Sequence, residues 1–241
     1  MAAKSTIEWT DATWNPATGC TKISPGCAHC YAEAITLRFK RGGRFLPGET
    51  TIKLHPDRLN LPLSWRTPRW IFVNSMSDLF HEEIPSSFIQ QVFEVMEKAT
   101  QHTFQVLTKR HQRLKALSQQ LKWPPNVWMG VSVENQHWAD ERIPALIEVP
   151  AAVRFLSIEP LLKPVNVSPF LDELEWVIVG GESGPKARPI QPEWVEQIRG
   201  DCSAAGVPFF FKQWGGRTSK SGGNKLNGRT WVDMPSSSIK I

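Results

Sequence analysis

Short apolar runs rich in β-branched and aromatic residues recur along the chain. They fall at Trp70–Val73, Thr103–Leu107, Val127–Val133, Val153–Ile158, Trp176–Val179 and Val207–Phe211, with an earlier candidate near Ile7–Thr10. Runs without polar alternation suit strands covered on both faces, as in a parallel sheet. Between them lie stretches with helical periodicity. Ser87–Thr100 places Phe88, Val92, Phe93, Val95 and Met96 on one side, the mark of an amphipathic helix. His111–Leu121, His137–Ile147 and Pro192–Ala205 behave similarly, and Pro192 suits a first helical turn. The connection from Glu159 to Glu175 carries Pro160, Pro164 and Pro169 and is expected to be irregular or a short helix. Six to seven strand–helix units predict an α/β fold with a parallel sheet, either doubly wound or a full or partial (β/α) barrel.

Polar residues stand just after nearly every predicted strand. They are Asn74, Ser75, Ser77 and Asp78; Thr108, Lys109 and Arg110; Ser132, Glu134 and Asn135; Ser157 and Glu159; Glu182 and Ser183; and Lys212 and Gln213. In barrels and open α/β sheets alike, ligands bind at the carboxyl ends of the strands. Repetition along the sheet makes that end the expected site.

Three of the four cysteines, Cys20, Cys27 and Cys30, fall within eleven residues with the spacing C-x6-C-x2-C. The chain begins without an apolar signal segment and has no run long enough to span a membrane. A cytoplasmic location is expected, where thiols stay reduced and clustered cysteines bind metal or do redox work. Three thiolates can hold three corners of an iron–sulfur cube and leave one iron open to a ligand. Zinc would need a fourth ligand, for which His29 and Cys202 are the candidates. Buried or redox thiols are the third account. Pro16, Gly19, Pro25 and Gly26 break regular structure before the last two cysteines, and Cys30–Arg38 reads as a helix. Cys30 would then sit at a helix N-terminus, whose field favours thiolate. Cys202 lies in the Pro192–Ala205 helix and reads as a small buried hydrophobe.

Composition adds less. The 241 residues are 41% hydrophobic, ample for a core, and carry a net charge of +5 with a pI near 9.1. That balance is compatible with a polyanionic partner. Eleven Trp stand against one Tyr; Trp fills cores and also stacks on bases. Residues 215–225, GGRTSKSGGNK, predict a flexible basic loop. Residues 1–214 are expected to form the α/β domain, doubly wound or barrel, and 215–241 a basic glycine-rich loop and C-terminal segment packed on it.

The cysteine loop on a strand–helix pattern resembles the radical S-adenosylmethionine superfamily. More narrowly, TGC…SPGC…CYAE, VNSMSDLF, LTKR, GVSVEN, LSIEPLL, VIVGGESG and FFFKQWG resemble a largely phage-associated family of radical-SAM-like proteins. The resemblance implies a full or partial (β/α) barrel with the cluster loop after the first strand. It implies that Cys20, Cys27 and Cys30 hold a [4Fe–4S] cluster whose open iron is chelated by S-adenosylmethionine. The superfamily's common spacing is C-x3-C-x2-C, so three extra residues, including Pro25 and Gly26, lengthen the loop here. His29 then lies near the adenine, Asn74, Ser75, Ser77 and Asp78 near the methionyl amine, and Ser132 and Glu134 near the ribose. Gly180, Gly181 and Glu182 complete the cofactor side. On the substrate side stand Lys109, Arg110, Glu159, Lys212, Gln213 and Trp214. The implied activity is reductive cleavage of S-adenosylmethionine to a 5′-deoxyadenosyl radical that abstracts hydrogen from a substrate, with a nucleic acid or nucleotide among the candidates. An electron donor such as flavodoxin or ferredoxin is the implied partner. The alternative is a nucleic-acid-binding or repair protein with a structural or redox cluster, resting on the basic balance, the Trp content and Lys109, Arg110 and Arg113.

Overall fold

The computed structural model describes residues 5–39, 51–218 and 221–236. Its centre is one sheet of seven strands: β1 (Ala12–Trp14), β2 (Trp70–Val73), β3 (Thr103–Thr108), β4 (Val127–Ser132), β5 (Val153–Ile158), β6 (Trp176–Gly180) and β7 (Phe209–Gln213). Each strand pairs in parallel with the next in the chain. Helices α1 (Tyr31–Phe39), α2 (Ser86–Lys98), α3 (His111–Ser118), α4 (Gln136–Ile147) and α5 (Pro192–Ala205) fill the connections, and a 3-10 helix at Ser168–Glu173 replaces one between β5 and β6. Strands β1 and β7 stand at opposite ends of the sheet and do not pair. The chain is therefore a partial (β/α) barrel. No described helix is long and apolar enough to cross a membrane.

The apolar runs mark six of the seven strands. The first was misplaced: residues 7–10 form a turn, closed by Thr10 N–H donating to Ile7 O at 3.3 Å. The strand begins at Ala12, after Asp11 N–H has bonded Trp70 O at 3.0 Å and Trp70 N–H has bonded Asp11 Oδ2 at 2.8 Å. At three residues, β1 is too short to write a periodic signature.

Alternation sends successive side chains to opposite faces. One set, including Ile71, Val73, Phe104, Val106, Leu156, Ile158, Val177, Val179 and Phe211, packs on helix residues Ile89, Val92, Ile143, Val195 and Ile198. The other set closes the amino-terminal part of the inner face with aromatics: Trp9, Phe72, Trp128, Phe155, Trp176 and Phe210. Trp176 is its hub, with ring centroids 6.2 Å from Trp9, 6.1 Å from Trp128, 5.6 Å from Phe155 and 6.1 Å from Phe210. Its indole N–H donates to Asp233 O at 2.9 Å. Gly130 makes room for this plug, since a Cβ there would lie 2.6 Å from the Phe155 ring. Several of the eleven Trp are thus core rather than base-stacking platforms. Trp176→Ala is expected to lower stability by about 3–5 kcal/mol, read as a reduced denaturant midpoint with unchanged slope.

Further along the same inward positions the residues turn polar: Asn74 on β2's exit, Ser132 and Glu134 at β4, Ser157 and Glu159 at β5, and Lys212 at β7. An apolar floor under a polar mouth is the consequence.

The exposed edge of β7 is covered by the chain's own C-terminal segment. Phe211 N–H donates to Trp231 O at 2.8 Å and Asp233 N–H to Phe209 O at 3.2 Å. A hairpin follows the glycine-rich stretch. Lys225–Leu226 pairs antiparallel with Arg229–Thr230 around Asn227 and Gly228, both in left-handed backbone. Asn-Gly at such a turn is a strong hairpin signal. Ser219 and Lys220 of the expected loop lie outside the described residues.

Candidate functional site

The cysteine loop leaves β1 beside the exit of β2. Ala17–Thr18 pairs with Lys53–Leu54, and Gly19 N–H donates to Met76 O at 3.1 Å. Gly19 has φ +94, and a Cβ there would lie 2.6 Å from Thr51 O, so only glycine fits this crossing. A 3-10 turn, Pro25–Cys27, follows, and then α1, with Cys30 immediately before Tyr31. Cys20, Cys27 and Cys30 are free, half-buried thiols. Burial, and next the Asp78 charge, pushes the Cys20 thiol up to about 12, opposed by the Arg110 guanidinium. A bound metal supplies the positive charge that removes such a proton.

Residues from four strand exits hold the loop over the mouth. Arg110, after β3, donates from Nη2 to Thr21 O at 3.1 Å and Thr21 Oγ1 at 2.8 Å, and pairs through Nη1 with Glu82. His81 Nε2 lies 2.8 Å from the same Thr21 hydroxyl. Glu134, after β4, accepts from Gly26 N–H at 3.2 Å and from Arg142 Nη1 at 2.8 Å; the Glu134–Arg142 pair is completely buried. Glu182, after β6, accepts from His29 Nδ1 at 2.9 Å and from the backbone and guanidinium of Arg188. Arg188 Nη2 also donates to Pro25 O at 2.9 Å.

The other predicted residues divide. Asn74, in left-handed backbone with φ 59, accepts from Ala17 N–H at 3.4 Å and leaves its buried Nδ2 unpartnered. Ser75 bonds Asn15 and gives its carbonyl to the Tyr31 hydroxyl at 2.6 Å; Ser77 Oγ donates to Ala17 O. Asp78 accepts from Thr108 Oγ1 at 2.6 Å and from the N–H groups of Phe80 and Lys109, which commits both its oxygens to the fold. Ser132 is buried and its carbonyl accepts from Arg142. Lys109, on the β3 exit, is half-buried. Gly180 and Gly181 answer to packing: Cβ atoms there would meet the Glu159 side chain at 3.3 Å and Trp214 O at 2.0 Å. Glu159 pairs with Lys212 across the mouth. Gln213 and Trp214 face structure, donating to Ser183 Oγ and Gly181 O, and to Lys225 O.

Sequence reasoning missed Arg142 and Arg188, the cations that complete the Glu134 and Glu182 pairs, and Tyr31, whose ring is half exposed beside Cys30. Nothing local marks them. Arg142 sits in a helical stripe and Arg188 in a Gly- and Pro-bounded loop.

The donor set fits an anionic cluster. Three thiols share one loop, and the orphaned donors around it are cationic or amide: Arg110 Nε, Arg142 Nε and Nη2, and Asn74 Nδ2. Among the described residues no three His, Cys, Asp or Glu side chains converge closely enough for a single ion. The thiolates of a cube bond different irons and stand farther apart. Zinc's two fourth-ligand candidates are otherwise placed: His29 faces Glu182, and Cys202 is fully buried in the core, its thiol pushed up to about 12 by burial and next by Asp201.

Glu182 gives a pH test. Burial alone would raise its pKa, but hydrogen bonds from Arg188 and His29 more than offset this and hold it at about 2, below its ordinary 4.5. A depressed carboxyl contributes stability above the unfolded value and loses it as pH falls from 4.5 toward 2. The wild type is expected to exceed Glu182→Gln by on the order of 3 kcal/mol at neutral pH. Denaturant curves should show that gap closing over this acid window.

Solved spore photoproduct lyase structures share this fold. One variant of that lyase aligns with a TM-score of 0.52 at 13% identity, covering 76% of this chain and 58% of the other. Another, with bound AdoMet and dinucleoside spore photoproduct, aligns with a TM-score of 0.52 at 11% identity, covering 83% and 63%. This chain thus spans about three-fifths of the lyase's length. No curated protein matches the sequence. Residues 4–235 match the family described as "Protein of unknown function (DUF5131)", and the chain belongs to that family.

Proposed function

We propose that this chain is an iron–sulfur enzyme of the radical S-adenosylmethionine type, with Cys20, Cys27 and Cys30 holding a [4Fe–4S] cluster. The observation that carries the reading is the place of the loop. Three free thiols follow β1 of a partial (β/α) barrel and lie over its polar mouth, while the fourth cysteine, Cys202, is buried in the core. When bound, cluster and cofactor together supply one-electron cleavage of a sulfonium and hydrogen abstraction from an unactivated C–H bond.

The chain's own residues do the rest. Arg110, Arg142 and Arg188, each paired with a carboxylate of a strand exit, brace the loop that would carry the cluster. The unpartnered Asn74 amide offers a hydrogen bond to the cofactor. The aromatic plug fills the amino-terminal part of the inner face beneath the mouth. The Glu159–Lys212 pair lines that mouth and would meet the substrate. A reduced flavodoxin or ferredoxin is the proposed electron donor. A nucleic acid or nucleotide is the proposed substrate, supported by the net charge of +5 and by the shared fold.

The competing account, a nucleic-acid binder with a structural cluster, leaned on the cations after β3. Two of them turn inward: Arg110 holds Thr21, and Arg113 donates to His81 O and Ile84 O at 2.5 Å. No observation favours it over the enzyme.

Anaerobically reconstituted protein, reduced with dithionite in the presence of S-adenosylmethionine, is expected to release 5′-deoxyadenosine. An iron-loaded protein that releases none and does not bind the cofactor sinks the enzymatic reading. Oligonucleotide binding that weakens steeply with salt is expected for the nucleic-acid substrate; absent or salt-insensitive binding removes that part alone.

A further inference from the structure

We propose that Glu134 and Arg188 form a clasp on the Pro25–Gly26 peptide unit that fixes the lengthened cysteine loop and so positions Cys27. The proposal rests on the reading that this loop holds a cluster.

The two jaws grip opposite sides of one peptide bond. Arg188 Nη2 donates to Pro25 O at 2.9 Å, and Gly26 N–H donates to Glu134 Oε1 at 3.2 Å. Pro25 O also takes Ala28 N–H at 3.2 Å, which closes the 3-10 turn around Cys27. A peptide plane held by its carbonyl and its amide cannot rotate, so the residue after it, Cys27, is held too.

Each jaw is anchored behind. Glu134 is backed by Arg142, both fully buried. Arg188 is backed by Glu182, which also takes His29, the neighbour of Cys30. Gly26 is shaped to the clasp: a Cβ there would lie 3.2 Å from Glu134 Cδ, so a side chain would push the amide off the carboxylate.

The clasp falls on residues that lengthen the first cysteine interval from three to six. A longer interval gives its end more conformations, whereas a ligand set works only when held to within about 0.5 Å. Glu134 and Glu182 are on this account positioning residues rather than cofactor contacts.

The test uses the full chain with Arg188→Ala, Gly26→Ala, the conservative Arg188→Lys, and Arg154→Ala as a control on a distant ion pair with Glu175. In the iron-free protein, Gly26 amide hydrogen exchange is expected to speed up about tenfold in Arg188→Ala, the scale of one charged hydrogen bond. Arg188→Lys should recover most of the protection, and Arg154→Ala should not change it. In the loaded protein, Arg188→Ala and Gly26→Ala should lose iron to a ferrous chelator about tenfold faster and shift the electron paramagnetic resonance spectrum of the reduced cluster. Their circular dichroism should remain that of the wild type. Should Arg188→Ala fail to fold, Gly26→Ala carries the iron-loss and spectral tests, since it leaves every buried charge paired. Wild-type exchange at Gly26 in Arg188→Ala, or wild-type iron loss with an unshifted spectrum in Gly26→Ala, overturns the clasp while the cluster reading stands. A wild type that takes up no iron overturns the cluster reading, and the exchange rates still judge the clasp.

Discussion

Replacing Cys20, Cys27 or Cys30 by Ala, one at a time, is expected to leave the protein folded but almost without iron after anaerobic reconstitution. Each thiolate would supply one of only three protein bonds to the cluster. All three lie on a half-buried loop at the carboxyl ends of the strands, outside the core that holds the sheet together. Their loss should therefore spare the far-ultraviolet spectrum. Cys202→Ala should do the reverse. Its thiol is fully buried among α5 and sheet residues, so the variant keeps full iron content and loses a modest amount of stability by opening a small cavity. Iron and sulfide assays on the four variants decide the assignment. Iron retained without Cys27, or lost without Cys202, would contradict it.

Glu134→Ala is expected to be the most destabilising single change at the mouth. It leaves Arg142 buried without its counter-ion, a defect worth about 3–5 kcal/mol, against a total stability of about 5–15 kcal/mol for a domain. Arg142 already has two donor nitrogens without partners, Nε and Nη2, and leans 4.1 Å from the Trp138 ring centre. It therefore has little else to fall back on. Arg142→Met alone should cost a similar amount, because it strands the Glu134 carboxylate. The double variant Glu134→Leu with Arg142→Met should cost clearly less than the two singles summed, since no charge is left stranded. Strict additivity in urea titrations would mean that the pair is not coupled.

Much of the fold could be read from the chain. Strands β2 to β7 are covered on both faces over most of their length, so each writes a mainly apolar run, broken only by residues such as Gln105 and Arg154, and such runs need no knowledge of partners. The cysteine loop was legible because its spacing is local, and the strand-end polar residues because they interrupt those runs. Strand β1 was not legible: it is three residues long and is set by its bonds to Trp70 rather than by its own pattern. The hairpin at Asn227-Gly228 was not read, although that dipeptide is a local signal for one.

The partners of the polar residues were decided only by the tertiary structure. In sequence, Asp78, Glu134, Glu159 and Glu182 are four similar carboxylates after four strands. In space Asp78 ties β2's exit to β3's, Glu134 reaches Gly26 across 108 positions, Glu159 faces Lys212, and Glu182 takes Arg188, which itself reaches Pro25 across 163 positions. Local periodicity fixes which residues point inward. Which of them meet depends on the register of neighbouring strands and the curvature of the sheet, and no single segment carries that information.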